Sequence, residues 1–223
     1  MLYQNYCKLL QGLPNLELSS DENISNCRFR KTAFLGEKVP VLAKADSFCY
    51  TDTNPHCVPG RLCMFQITLL AMGKLKEKFY LSAAAEYEKR LSGVCRFQLL
   101  ELPECRLPES PQPAEIAMGL AKEGELIRQK IPKGAWFCVL TPEGKELSSE
   151  AFAGQLARVK LSGRSSACFL IGSSYGIEPA LKAQADLLLS MGKMTFPHHL
   201  ARIMVLEQLY RAESIQAGTK YHK

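Results

Sequence analysis

The chain has 223 residues, 47% of them hydrophobic and 22% charged, ordinary usage for one globular domain plus something extra. This excludes a wholly disordered chain, a collagen and a coiled coil, and no apolar run reaches the ~18–20 residues that span a bilayer. The 28 Lys+Arg against 22 Asp+Glu leave +6, a mildly basic balance that permits a phosphate-bearing partner without demanding one.

Nine cysteines stand out. From Cys7 through Cys27, Cys49, Cys57 and Cys63 there is no C-x-x-C pair, which argues against a structural zinc site. Cys95, Cys105, Cys138 and Cys168 mostly sit in apolar runs, where a thiol acts as a small buried hydrophobe. Met1 to Leu10 holds one basic residue and no long apolar core, unlike a secretory leader. Free thiols in a reducing cytoplasm are expected.

Residues 1–63 lack sustained periodicity and are broken by Gly12, Pro14, Gly36, Pro40, Pro55, Pro59 and Gly60. An organellar transit peptide is poor in acids, whereas this stretch carries Glu17, Asp21, Glu22, Glu37, Asp46 and Asp52. It reads as an extension outside the functional domain, either disordered or the product of an upstream start. Residues 64–223 read as the domain itself.

From Met64 the hydrophobic periods alternate. Phe65 to Ala71 is a short apolar strand, and Gly73 to Lys76 a turn. Glu77 to Leu91 is a helix with Phe79, Leu81, Ala84, Ala85, Tyr87 and Leu91 on its apolar face. Val94 to Leu102 is a second strand. Pro103, Pro108, Pro111 and Pro113 then make a rigid loop. Ala114 to Ile131 is a helix striped by Ile116, Leu120, Ile127 and Ile131. Ala135 to Leu140 is a wholly apolar strand. Ser148 or Ser149 caps a helix running to Leu161, and Ala167 to Ile171 is another apolar strand. A short helix starts at Glu178, Asp186 to Ser190 is the last strand, and Pro197 to Gln216 the last helix. Strands alternating with such helices predict βαβ units and a mainly parallel sheet with helices on both faces.

Ligands of such sheets bind at the carboxyl ends of the strands. Three loops leave such ends: Thr141 to Leu147, Gly172 to Ile177, and Met191 to Phe196. The Gly172-Ser173-Ser174-Tyr175-Gly176 loop has glycines that allow positive φ and close backbone approach. It is neither G-x-G-x-x-G nor a P-loop. The loop with Met191, Met194 and Phe196 is too apolar for open solvent, and a flat apolar ligand such as an adenine would suit it. His198-His199 is a tempting metal pair, but adjacent helical side chains point apart and no acid stands near in sequence, so no metal is expected. The last helix is apolar almost all round, at Leu200, Ile203, Met204, Val205, Leu206, Leu209 and Tyr210, which predicts burial on more than one side and a two-fold dimer. In the tail, Lys220 and Lys223 suit phosphate, Tyr221 suits a base, and His222 suits proton transfer.

These residues, taken together, resemble the ribosomal RNA large subunit methyltransferase H family from Met64 to Lys223. The motifs are Gly73-Lys74-Leu75-Lys76-Glu77-Lys78, Glu86-Tyr87-Glu88-Lys89-Arg90-Leu91, Lys122-Glu123-Gly124, Phe169-Leu170-Ile171-Gly172 with Tyr175-Gly176, Lys193 to His198, Glu207-Gln208-Leu209-Tyr210-Arg211-Ala212, and Tyr221-His222-Lys223. The resemblance implies the SPOUT class: an α/β fold whose C-terminal chain forms a trefoil knot, a rare topology that periodicity does not reveal. It implies a homodimer that uses S-adenosylmethionine to methylate N3 of a pseudouridine in large-subunit ribosomal RNA, on the assembled ribosome. Carried across position by position, the cofactor contacts are Leu140, Gly172, Met191, Gly192, Lys193, Met194, Thr195 and Phe196. His222 then helps remove the N3 proton, Tyr221 holds the base, and Arg211 meets a phosphate or the developing anion.

Two departures stand out. Ser173 stands where the family usually has a second glycine, so the loop's shape is expected to differ slightly. Thr141-Pro142 replaces an acid that often follows the strand-end leucine, with Glu143 one step out. A non-catalytic nucleotide- or ribosome-binding α/β module remains the alternative reading, with no membrane association in either case.

Overall fold

The structure is a computed structural model, and it describes residues 64–222. The extension 1–63 and the phosphate contact expected of Lys223 therefore lie outside the described residues. Ten elements follow in strict alternation: β1 (Gln66–Met72), α1 (Lys78–Ser92), β2 (Arg96–Leu102), α2 (Pro113–Lys130), β3 (Trp136–Glu146), α3 (Ser149–Leu161), β4 (Ser166–Ile171), α4 (Pro179–Ala183), β5 (Leu187–Ser190) and α5 (His198–Gln216). Every strand and helix read from the sequence is present, and most boundaries move by no more than a residue or two.

The five strands pair in the order β2-β1-β4-β3-β5, and every pair is parallel. Alternate side chains serve opposite faces, as the pleat requires. Ile67, Leu69, Ala71, Cys138 and Phe169 face one core, with Ala84 and Leu91 of α1, Phe152 and Leu156 of α3, and Leu206 and Leu209 of α5. Leu70, Met72, Phe137, Val139 and Leu170 face the other, with Ile127 of α2 and Leu181 of α4. The sheet is thus covered on both faces, which is why β4 reads as an unbroken apolar run.

Three expectations change. The segment from Thr141 was expected to be a loop, yet β3 runs on to Glu146. Polar Thr141-Pro142-Glu143-Gly144 is a detour with a register shift between Leu140 and Lys145, and pairing with β5 resumes beyond it. On α1 only Ala84 and Leu91 of the expected apolar face are buried. Phe79 is 65% exposed and Leu81 46%, because α5 covers the helix over a narrower stripe than its composition offers. The two histidines do not point apart: the rings of His198 and His199 meet edge-to-face at 4.2 Å. An acid is also near, since Glu77 lies 3.7 Å from His199 Nδ1. Among the described residues, no group of three or more His, Cys, Asp or Glu is placed to hold a metal ion.

Helix α5 is apolar all round for a reason inside this chain. It packs between α1 and α3 above the sheet, and none of its residues is fully exposed. Its all-round apolarity therefore does not by itself require a second subunit. Arg202, wholly buried, pins its start. Nη1 donates to Glu101 Oε1 at 2.5 Å and Nη2 to the carbonyls of Met72 and Gly73 at 3.1 and 2.9 Å, which ties the α5 end of the β5–α5 loop to the ends of β1 and β2. Cys95, Cys105, Cys138 and Cys168 are free thiols, and burial pushes the Cys168 thiol up to about 12, which keeps it unreactive. No described helix is long and apolar enough to cross a membrane.

Candidate active site

Strand register sets the site. Leu140 of β3 is level with Ile171 of β4 and with Leu189 of β5. The chain leaving each strand there, at Thr141, Gly172 and Ser190, comes out side by side. Next to them is a pocket of about 350 Å³ lined by Leu140, Leu147, Phe152, Phe169, Leu189, Met191, Gly192, Met204 and Val205, with Glu146, Ser148, Ser149, Ser190 and Gln208 supplying polar atoms. Apolar walls with a few polar groups suit a nucleoside-sized ligand. The bare backbone of Gly192 faces open space, since a Cβ there would meet nothing within 4 Å.

Of the eight cofactor positions named from the sequence, Leu140, Met191 and Gly192 line this pocket. Gly172 is adjacent through register. Lys193, Met194 and Thr195 are exposed, Met194 by 76%, and Phe196 is half-buried, so these four form a lip outside the pocket.

The Gly172 loop owes its shape to space. Gly172 does not have positive φ; that belongs to Gly176, at +99°. A Cβ on Gly172 would lie 2.3 Å from Ile177 Cγ1 and 2.6 Å from the Gly176 carbonyl oxygen. Ser173 settles into this loop by donating from Oγ to Glu123 Oε2 at 2.9 Å. The other Glu123 oxygen accepts from the Cys105 amide at 2.7 Å, so this buried acid of α2 ties down two loops at once. The Ser173 departure is thereby absorbed. Glu143 turns outward to Lys182 of α4 at 2.5 Å. Its carboxyl is held down at about 2, chiefly by Lys182 and next by the Thr141 hydroxyl.

The three tail and helix residues named from the sequence are brought together. Arg211 donates from Nε and Nη2 to Glu207 Oε1 at 2.8 and 2.5 Å. Tyr221 donates to the same oxygen at 3.2 Å, with its ring 4.9 Å under the Arg211 guanidinium and edge-on to Tyr210 at 4.8 Å. Burial, then Tyr87 and Glu207, push the Tyr221 phenol up to about 12, so it remains a hydrogen-bond donor. His222 lies between Arg211 Nη1, 3.2 Å from Nδ1, and Glu150 Oε1, 2.7 Å from Nε2. A polar chain joins this cluster to the pocket wall: Gln208 donates to Glu207 Oε2 at 2.7 Å and accepts from Ser149 at 2.8 Å. The cap of α3 is Ser148, whose Oγ accepts from the Ala151 amide, and this leaves Ser149 free for Gln208.

Four of these residues had no assigned role in the sequence reading. Glu207 stands four residues before Arg211, a helical ion-pair spacing that was readable. Gln208 lies in the same motif, and Glu123 in Lys122-Glu123-Gly124. Glu150 offered no signal beyond an acid in a helix's first turn, where any acid is favoured.

A doubly covered parallel sheet with a pocket at its strand ends is an α/β architecture that binds ligands at that edge, and a known family carries it. The family described as "Predicted SPOUT methyltransferase" matches residues 65–222, and the chain belongs to it. Its relatives include the ribosomal RNA large subunit methyltransferase H of Moorella thermoacetica, 42% identical over 160 residues, covering 72% of this chain and all of that protein. The protein of the same name from Limosilactobacillus reuteri is 43% identical over 157 residues, 70% of this chain and 99% of that protein. The solved tRNA (m1G37) methyltransferase from Aquifex aeolicus is a looser neighbour, 13% identical with a TM-score of 0.41, covering 66% of this chain and 69% of that one.

Proposed function

We propose that this protein transfers a methyl group from S-adenosylmethionine to N3 of a pseudouridine in large-subunit ribosomal RNA, on the assembled ribosome in the cytoplasm, as a homodimer. The supporting observation is the strand-end pocket, joined through Gln208 and Glu207 to the cluster of Arg211, Tyr221 and His222. The full-length match to relatives named for ribosomal RNA methylation supports the substrate class.

The pocket fits the donor: its walls are apolar enough for an adenine, its edge carries hydroxyl and amide groups, and Gly192 leaves backbone open. Leu140, Gly172, Met191 and Gly192 would hold the nucleoside, and Lys193, Met194, Thr195 and Phe196 would close over it. S-adenosylmethionine, when bound, would supply an electrophilic methyl group with sulfur as the leaving atom that keeps the carbon–sulfur electron pair. The chain's own task is mostly positioning. Tyr221 presents a hydroxyl and a ring face to the base, Arg211 meets negative charge, and His222 takes the proton from N3.

The same reading includes a C-terminal chain threaded as a knot. At Gly144 the β3 detour lies against the backbone of β5, since a Cβ there would lie 2.6 Å from the backbone of Leu189 and 2.7 Å from that of Leu188; the knot itself rests on membership of the family.

Two measurements test the proposal. Calorimetry should show saturable binding of S-adenosylmethionine, and no binding refutes a catalytic role. Mass spectrometry of ribosomal RNA should show the N3-methylated pseudouridine lost on gene deletion and restored on complementation. Retention of the modification in the deletion strain refutes the target.

A further inference from the structure

The environment of His222 decides which of its nitrogens can act. Arg211 is a donor only and has no acceptor atom. Its Nη1 lies 3.2 Å from His222 Nδ1, so Nδ1 accepts and carries no hydrogen. The ring hydrogen therefore sits on Nε2, 2.7 Å from Glu150 Oε1. This tautomer is assigned from its partners, and both partners agree. Glu150 itself is a firm acceptor: its carboxyl is held down at about 2, first by its own backbone amide, then by Ser148 and His222.

We propose that Glu150 is the positioning residue of His222, fixing the Nε2–H tautomer and turning the Nδ1 lone pair outward, and that Arg211 occupies that lone pair until an anionic group of the RNA draws the guanidinium away. The inference deepens the methyltransferase reading and rests on it. As the tail stands, neither ring nitrogen is free to take a proton. Nε2 is already protonated, and the Nδ1 lone pair is filled by Arg211. Departure of Arg211 from Nδ1 leaves its other contacts, Nε and Nη2 on Glu207, as the pivot. The freed Nδ1 then accepts the N3 proton, and the N3 electron pair takes the methyl carbon. The imidazolium so formed keeps its Nε2–H on the Glu150 side-chain oxygen, so the ring holds its orientation through the proton transfer. Base activation is thereby tied to RNA contact, so an unoccupied tail does not carry an exposed proton acceptor.

The test uses the full-length protein with nitrogen-15-labelled histidine, His222→Ala identifying the His222 signals. Long-range proton–nitrogen spectra of the free protein should show the Nε2–H tautomer. Glu150→Ala should give a mixture of tautomers and lower kcat on intact ribosomes roughly 10- to 100-fold, with KM for ribosomes within about two-fold. Glu150→Gln should keep the tautomer and recover most of kcat, because its amide oxygen still accepts from Nε2–H. Arg211→Ala should keep the tautomer and expose Nδ1, read as a shift of its nitrogen resonance. An unchanged tautomer in Glu150→Ala, whatever the rate, overturns the positioning role. A loss of kcat in Glu150→Ala that Glu150→Gln does not recover overturns it too, since charge or packing would then be the cause. If the wild-type protein leaves ribosomes unmethylated while the tautomer still follows Glu150, the methyltransferase reading falls and takes the catalytic meaning of the pair with it.

Discussion

The loops that leave β4 and β5 both start at a glycine-bearing strand end of the proposed donor site, and they are built on opposite plans. The β4 loop is filled. Gly172 has no room for a Cβ, Ile177 is 6% exposed, and Ser173 is tied to buried Glu123. The β5 loop is open: nothing lies within 4 Å of a Cβ at Gly192, and Met194 is 76% exposed. A motif comparison gives both loops the same label, donor contact. Packing separates them into a rigid wall and an open lip. A wall preorganises a site before its ligand arrives, while a lip contributes only when the ligand covers it.

The contrast is easiest to break at Gly172. A Gly172→Ala side chain must push against backbone, which should destabilise the fold by about 2–3 kcal/mol and lower Tm by roughly 5–10 °C. A Gly172→Ala protein as stable as the wild type in thermal melts would mean the wall is soft. Next comes Glu123→Ala, which should cost about 1–2 kcal/mol by releasing Ser173 and the Cys105 amide. Amide exchange should quicken at residues 172–176 and stay constant at 191–196. Equal quickening in both loops would dissolve the distinction.

Met194→Ala sharpens the other side. Its stability should stay within about 0.5 kcal/mol of wild type, whereas calorimetry should find donor binding weaker by about ten-fold, from lost apolar burial. Undiminished affinity would remove the lip from the donor site. The smallest effect concerns Glu143, which fastens the β3 detour to Lys182 beside the wall. Its folded carboxyl is depressed to about 2, so the stability it contributes is present above its unfolded value near ~4.3 and is lost as pH falls through about 2. The pair is exposed and screened, and it contributes less than about 1 kcal/mol. The Tm difference between wild type and Glu143→Gln should therefore exist at neutral pH and close as pH approaches the folded value. A difference that ignores pH would show that the ion pair is not its source.

Much of this molecule was legible in its residues. The strand and helix spans follow from local hydrophobic period, and the family resemblance points to Leu140, Met191 and Gly192, which line the strand-end pocket. The misreadings share one cause. Thr141 to Gly144 has turn composition, and only the pairing of Lys145 and Glu146 with β5 shows that the strand resumes. The all-round apolarity of the last helix was read as needing cover from beyond the domain, a step that packing on α1 and α3 of the same chain makes unnecessary while leaving the expected dimer untouched. The glycine loop after β4 has both properties its composition allowed, but packing decides which glycine serves which, close approach at Gly172 and positive φ at Gly176.

Sequence alone determined the alternation of strands and helices, the burial of the sheet on both faces, and the family. These depend on residues close together along the chain and on motifs that keep their linear order. Tertiary structure alone decided the strand order β2-β1-β4-β3-β5, which loop is wall and which is lip, and the meeting of His222 with Glu150, 72 positions away. Such pairings have no local periodicity to announce them, because a contact between distant segments is chosen by how all the layers pack at once.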